Sequence, residues 1–376
     1  MKYLATLGVN PKLSLAELGA IYPDTSRHST QSAIFTGSIY PHLGGTSKIG
    51  EIITTLNTAD INAIADYLYQ KAAEDLNLKA TKFNIGLSFY GKSIDNYQQI
   101  SLTFKKHLRN NGLKPRIILA KNQELSSAQV IHNNLIGSGY ELLISIGDSS
   151  TVVAKTTWVQ DIDKYTHRDI GRPCRDMQTG MLPPKLAQIM INITGNDNNF
   201  IFDPFCGSGV ILQEALLMNK DVGGSDISDK MVNCSRENLG WLSKEFNTSQ
   251  PKYLEVADAR NLQLPEGVDT IVSEGYLGPI INKETDKNKL LELASQSSEL
   301  MKSTLENLRS QLPKGSRACL ALPAWKNNDN TILPDIIDNI EELGYNRLLL
   351  NNSDTGLLYR RDNQFVGRYI ILLETR

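Results

Sequence analysis

From Leu182 to the last residue, short apolar runs alternate with amphipathic stretches, and that alternation restricts the fold more than any other feature of the chain. The spacing predicts strands at 200–203, 221–226, 253–258, 268–272, 317–322, 346–350 and 368–374. Helices are predicted between them at 210–219, 229–242 and 290–312. Strands that alternate with helices in this way pair parallel, with helices covering both faces of the sheet. A close pair of runs at 357–360 and 365–373, joined through Arg361-Asp362-Asn363, returns the final strand antiparallel. Ligands of such sheets sit beyond the carboxyl ends of the strands, so the residues that close each strand carry the information about chemistry.

The first of these strands ends in Asp203-Pro204-Phe205-Cys206-Gly207-Ser208-Gly209. Gly207 and Gly209 let backbone approach a ligand closely, and the helix that follows offers free N–H groups. A dinucleotide site needs Gly-x-Gly-x-x-Gly, whereas Val210-Ile211-Leu212 follows here. The chain also has no Gly-Lys-Ser/Thr for a P-loop, and Asp203 would repel a phosphate. A carboxylate at this point suits a cation, such as the sulfonium and amino group of S-adenosylmethionine. Asp226, 23 residues further on, can accept from both ribose hydroxyls. Asp258 can accept from an adenine amino group while the Ala259 N–H donates to the ring. Any one of these acids alone is more often a loop or helix-cap residue. Three at successive strand ends point to S-adenosylmethionine.

The fourth strand runs into Ser273-Glu274-Gly275-Tyr276-Leu277-Gly278-Pro279. Methyltransferases acting on exocyclic amino nitrogens usually carry Asp/Asn/Ser-Pro-Pro-Tyr/Phe here. The polar group accepts from the amine and the aromatic ring stacks on the base. Aligned by the strand, Glu274 takes the first place and Gly278 matches the following glycine. Shifted by one, Ser273 leads and Tyr276 takes the aromatic place. In either register Tyr276 can stack, an interaction of about 1–3 kcal/mol per base. Glu is one methylene longer than Asp, and reacting atoms must meet at roughly 3–3.5 Å. The competing reading is therefore a loop carboxylate in a protein that holds the cofactor without transferring its methyl.

The first 160 residues differ in kind. They carry a surplus of 4 basic over acidic residues, against a deficit of 6 in the rest, within a net charge of -2. A length of 376 residues suits two or three domains, and 40% apolar content excludes a disordered chain. Strands and helices mix up to residue 68. An alternating strand at 82–89 then opens a second small α+β unit, with a basic helix at 96–111. Lys105, Lys106, Arg109, Lys114, Arg116 and Lys121 stand in a stretch free of acids between Asp95 and Glu124. They form either a phosphate-binding face or an ordinary solvated one. Tyr90 and Tyr97 either stack on bases or pack in the core. The segment 161–180 has no amphipathic period and reads as an interdomain linker. In it Arg168, Arg172 and Arg175 either touch RNA or pair with Asp161, Asp163, Asp169 and Asp176.

Exclusions follow from the scarce residues. All five histidines lie at or before His167, so neither a Ser-His-Asp triad nor a His-ligated metal works in the second half. His132 and His167 read as structural. Cys174, Cys206, Cys234 and Cys319 form no Cys-x-x-Cys pair, so neither a zinc site nor a disulfide is expected. The opening apolar run breaks too early for a signal peptide, and no stretch has bilayer length. A soluble, cytoplasmic, metal-free protein is the expectation.

Taken in order, the motifs resemble the tRNA guanine-N2 methyltransferases that modify guanine 10, of archaeal and eukaryotic type, in a bacterial-like variant. The resemblance starts at Leu7-Gly8-Val9-Asn10-Pro11-Lys12-Leu13 and continues at Leu125-Ser126-Ser127-Ala128-Gln129-Val130-Ile131-His132, which is similar to the THUMP signature. It then covers Val159–Asp163 and Arg168–Asp176, Gly180-Met181-Leu182-Pro183-Pro184, and Tyr359-Arg360-Arg361 with Gln364–Arg368. It implies a fold of mixed α/β and α+β class. Residues 1–68 would be a ferredoxin-like domain and 69–160 a THUMP RNA-binding domain. After a linker at 161–180, residues 181–376 would be a Rossmann-fold class I methyltransferase domain. It further implies tRNA as partner, docked by its acceptor end, with Met181, Pro183, Phe205, Cys206, Gly207 and Gly209 beside the cofactor. No membrane partner is implied, and a protein partner stays open, a monomer included. Two rivals remain: methyl transfer to another nucleic acid or atom, and a non-catalytic tRNA-binding protein that retains the cofactor.

Overall fold

The computed structural model describes residues 1–78, 82–175, 181–195, 199–350, 354, 356–362 and 364–376. The chain divides into two compact units, Met1–Lys164 and Tyr165–Arg376.

The first unit contains β1 (Lys2–Leu7), α1 (Pro11–Ile21), β2 (Ser26–Ser29), β3 (Ser32–Thr36), β4 (Thr46–Leu56), α2 (Ile61–Gln70) and α3 (Ala72–Asp75). β5 (Lys82–Tyr90), α4 (Tyr97–Asn110), β6 (Lys114–Ile118), α5 (Ser127–His132), β7 (Tyr140–Ile146) and β8 (Thr151–Val159) complete it. All eight strands form one sheet, ordered β2-β3-β1-β4-β8-β7-β5-β6. The seam expected at residue 68 therefore does not divide the sheet, because β4 pairs antiparallel with β8. The helix starts follow local chemistry. Asp60 caps α2 by accepting from the Ala63 N–H, and Ser126 with Gln129 forms a capping box on α5.

One element resists reading from sequence for a physical reason. β4 carries Lys48, which looks like a solvent-facing position yet is buried. Its Nζ meets Glu141 of β7 at 2.5 Å and donates to the Leu125 carbonyl at 2.6 Å. Ser88 and Thr156 donate to the two oxygens of Glu141 at 2.6 and 2.7 Å. A buried charge pair survives only when its remaining lone pairs and protons are satisfied in this way.

Helix α6 (Ile162–Ile170) stands within the stretch read from sequence as an ordered interdomain linker with no amphipathic period. Its Arg168 does not pair with the nearby aspartates. The guanidinium donates to buried Glu214 at 2.8 and 3.1 Å, a bidentate pair that the local pattern could not show. Arg172 is buried, 3.8 Å from Asp169 and in contact with the Met181 sulfur. Asp176 and Gly180, part of the same reading, lie outside the described residues.

The second unit continues with α7 (Pro184–Ile193), β9 (Phe200–Asp203), α8 (Val210–Leu217), β10 (Asp221–Asp226), α9 (Asp229–Phe246), β11 (Tyr253–Val256), β12 (Thr270–Glu274) and α10 (Lys287–Arg309). It ends with β13 (Arg317–Asn327), β14 (Asn330–Ile332), α11 (Ile336–Asn339), β15 (Tyr345–Leu348), β16 (Leu357–Tyr359) and β17 (Val366–Thr375). The main sheet order is β11-β10-β9-β12-β13-β17-β15. The first five strands are parallel, and β17 runs antiparallel between β13 and β15. Phe202, Ile271, Leu320, Leu322 and Ile371 pack with Met301, Leu305 and Leu308 of α10 in the main core. The sequence order reverses beside β9, which opens a crevice at the carboxyl ends of β9 and β12.

A disulfide links Cys174 to Cys234, against the expectation of none. The two cysteines are 60 residues apart, a spacing that carries no signal. They meet because Cys174 runs along α9. Asn238, one turn beyond Cys234, accepts from the Cys174 N–H and donates to its carbonyl, both at 2.9 Å. Among the described residues no helix is long and apolar enough to cross a membrane, and no group of three His, Cys, Asp or Glu side chains could hold a metal ion.

Candidate active site

A cavity of about 600 Å³ lies at the crevice, lined from the ends of β9, β10 and β12 and the turn after β11. Asp203 closes β9 and is 2% exposed. Its Oδ1 accepts from the Ser273 hydroxyl at 2.6 Å and from the Phe205 N–H at 3.0 Å. The glycine loop then turns through Gly207 and Gly209, both at positive φ. Asp226 closes β10 and fastens this loop, accepting from the Gly207 N–H at 3.0 Å and the Ser228 N–H at 2.9 Å. Asn238 donates to the Ser208 carbonyl from the other side at 2.9 Å. Asp258 is gripped by Arg260, whose Nε and Nη2 reach its oxygens at 2.6–3.0 Å.

Electrostatics set the three carboxyls apart. Burial pushes Asp203 up to about 8, aided by the like charges of Asp226 and Glu274 and opposed by the bonds from Ser273 and Phe205. Burial also raises Glu274, and the Arg368 guanidinium beside it opposes that rise. Hydrogen bonds from Arg260 lower Asp258. The Cys206 thiol is raised far above its ordinary value by burial and is thus a poor nucleophile.

The cavity brings together Met181, Asp203, Phe205, Cys206, Gly207, Asp226, Asp258, Ala259, Glu274 and Tyr276. Pro183, Gly209 and Ser273 do not line it. Pro183 is the N-cap of α7, its carbonyl accepting from the Leu186 and Ala187 N–H groups. Gly209 packs on α9, where a Cβ would fall 2.4 Å from the Ser235 hydroxyl. Ser273 is buried and serves Asp203, because the side chains of a strand alternate and Glu274 takes the cavity side. Leu182, Ser228, Arg260 and Leu300 also line the cavity and were missed. Of these, Ser228 had a legible signal as the N-cap of α9.

In the first unit, α4 buries Ile100, Phe104 and Leu108, which leaves Lys106 and Arg109 exposed. Lys114, Arg116 and Lys121 are exposed as well, the first two on edge strand β6, and Lys105 is half-buried. Among the described residues none of the six joins an ion pair. Tyr90 is 3% exposed and belongs to the core, so it offers no stacking face. The Tyr97 hydroxyl donates to the Lys121 carbonyl at 2.8 Å.

Residues 172–332 match the UPF0020 family, described as an RMKL-like methyltransferase domain. That match falls within the second unit and includes most of the residues that line the cavity. A family described as DNA methylase matches residues 57–237. The chain is 36% identical over 154 residues to a tRNA (guanine(10)-N2)-dimethyltransferase of Methanothermobacter thermautotrophicus, covering 41% of this chain and 42% of that protein. It is 28% identical over 219 residues to the protein of the same name from Pyrococcus abyssi, covering 57% and 55% respectively. The chain thus spans about half the length of these curated relatives. The crystal structure of TrmN from Thermus thermophilus covers both chains in full, with a TM-score of 0.57 at 17% identity, and so shares the fold.

Proposed function

We propose that the protein is an S-adenosylmethionine-dependent tRNA methyltransferase that methylates N2 of a guanine, position 10 in the relatives it matches. The observation that carries this reading is a partly apolar cavity at the strand ends on which Asp203, Asp226, Asp258 and Glu274 converge beside the glycine loop. Burial raises Asp203 there, and the like charges of Asp226 and Glu274 add to that rise, as in a site that takes a cation. Asp203 would face the cationic end of the cofactor and Asp226 the ribose, where each of its oxygens keeps further lone pairs. Asp258 would share its acceptors between Arg260 and the adenine. When bound, the cofactor supplies a methyl carbon that an amino nitrogen attacks as the carbon–sulfur bond breaks. Glu274 accepts from that amino group, and Tyr276, 59% exposed at the cavity mouth, stacks on the base. An amine needs little general-base help, since its proton can leave after transfer. The guanine must first leave its stack, which costs a few kcal/mol.

In this reading the segments 1–68 and 69–160 act together as ferredoxin-like and THUMP modules. They dock tRNA in the cytoplasm through Lys105, Lys106, Arg109, Arg116 and Lys121. The test is incubation with labelled donor and bulk tRNA, followed by mapping of the methylated nucleosides. Label in N2-methylguanosine, abolished by Asp203→Ala, supports the reading. Cofactor binding with no label in any RNA overturns it. A second reading, transfer to DNA, is favoured by the match of residues 57–237 and predicts label in DNA instead.

A further inference from the structure

Glu274 closes β12 where burial disfavours a charged carboxyl. It is largely buried, with Asp203 at the end of β9 and Asp226 at the end of β10 as further acids in the same cavity. β13 and α10 bring Ala321 and Met301 against the adjoining Gly275, and neither titrates. Arg368 of β17 answers this charge: its Nε donates to Glu274 Oε1, and the residue is 3% exposed. Glu274 registers with Ala321 of β13, and Ala321 with Ile370 of β17. Arg368 precedes Ile370 by two residues and so shares its face, and the guanidinium crosses over β13 to the end of β12.

We propose that Arg368 is a positioning residue for methyl transfer, pinning one oxygen of Glu274 so that the carboxylate presents its remaining lone pairs to the substrate's exocyclic amino group. The proposal rests on the amino-methylation reading above. An amino group turns its lone pair toward the methyl carbon only if its N–H bonds find acceptors elsewhere. A protonated Glu274 would donate to the nitrogen and occupy that lone pair. Glu also has one more torsion than Asp, and Gly275 follows it where the resembled motif has a proline. Arg368 restores by a side-chain contact the rigidity that the backbone there lacks. A buried arginine–carboxylate pair is no guarantee of stability, since apolar replacement of both partners is often neutral. Its value here lies in the acceptor it maintains.

The experiment compares Arg368→Met and Arg368→Lys with the unaltered protein in single-turnover methylation of tRNA between pH 5.5 and 8.5. Cofactor affinity is measured in parallel by calorimetry. In Arg368→Met the rate at neutral pH should fall roughly a hundredfold, the scale expected for a misplaced acceptor. The acid limb should move up by about one pH unit or more, with cofactor affinity held within about twofold, and Arg368→Lys should recover part of the rate. Adding Glu274→Gln to Arg368→Met should cost little more, because both act through one interaction. An unmoved acid limb, or a rate that falls only in step with cofactor affinity, overturns the proposal. If the unaltered protein methylates no RNA, the functional reading fails. The carboxyl infrared band assigned by Glu274→Gln difference then still decides whether Arg368 holds Glu274 ionised: an unchanged titration in Arg368→Met refutes it. Should Arg368→Met not fold, the paired change of Arg368 and Glu274 to Met separates lost stability from lost chemistry.

Discussion

The acidity of Asp203 makes cofactor binding a proton-linked event. With its carboxyl pushed up to about 8, Asp203 is protonated in roughly ten of eleven free molecules at pH 7. A cationic ligand selects the ionised form, so binding must expel that proton. The sign follows: affinity falls as pH drops through 8, by about tenfold per unit well below it and roughly fivefold between pH 8 and 7. Calorimetry of S-adenosylmethionine in two buffers of different ionisation enthalpy should register about 0.9 proton released at pH 7. Ser273→Ala removes a hydrogen bond that favours the carboxylate and should move the whole curve to higher pH. Asp203→Asn, titrated alongside, separates the ligand's own ionisation from that of the protein and should flatten the dependence while weakening binding. Stability runs the other way. The folded state holds this proton over the range in which the unfolded chain has already lost it, so the cofactor-free protein loses stability as pH rises from about 4 to 8. Asp203→Asn removes that slope and should stabilise the free protein at pH 7, by an amount on the order of 4 kcal/mol. Affinity that stays level from pH 6 to 8.5, with no proton released, would refute the reasoning.

Three further outcomes are expected. Cys174→Ser with Cys234→Ser should lower the unfolding free energy by about 4 kcal/mol, the loop-closure value for a 60-residue separation, and guanidinium titration with and without dithiothreitol should show the same loss for the unaltered chain. Arg109→Ala and Arg116→Ala should each reduce the log–log salt slope of tRNA binding by about 1 while cofactor affinity stays level, and an unchanged slope removes that residue from the RNA face. Lys48→Met or Glu141→Met alone should cost about 3–5 kcal/mol, and the two together should cost far less, because each single change strands a buried charge.

What could be read from the chain divides along the range of the forces involved. Periodicity and capping groups a few residues away placed the strands and helices that were expected in the second unit to within a few residues, whereas α7, β14 and α11 were not expected. The acids at the strand ends were legible for the same reason. One such carboxylate is commonly a loop or cap residue, but three at successive strand ends are not, and Asp203, Asp226 and Asp258 do line one cavity. Interactions that join distant segments left no local trace. Lys48 sits 93 residues from Glu141, Arg168 46 from Glu214, and Cys174 60 from Cys234. In each case a residue type that reads as exposed or unpaired finds a partner that only the completed sheet or helix packing brings near.

The same division bears on Glu274. Its side-chain type, one methylene longer than the usual aspartate, looks like a defect when read with its neighbours in the chain. Read in the sheet, it is the length that reaches a guanidinium delivered across β13 by a strand 94 residues away. Aspartate at this place would shorten that reach while leaving Arg368 buried, so Glu274→Asp should lose activity although it restores the commoner residue. Arg368→Met should then harm Glu274→Asp less than it harms the unaltered protein, because the shorter acid has already given up the contact. Equal losses in the two backgrounds would mean that the length of Glu274 and the presence of Arg368 are unrelated.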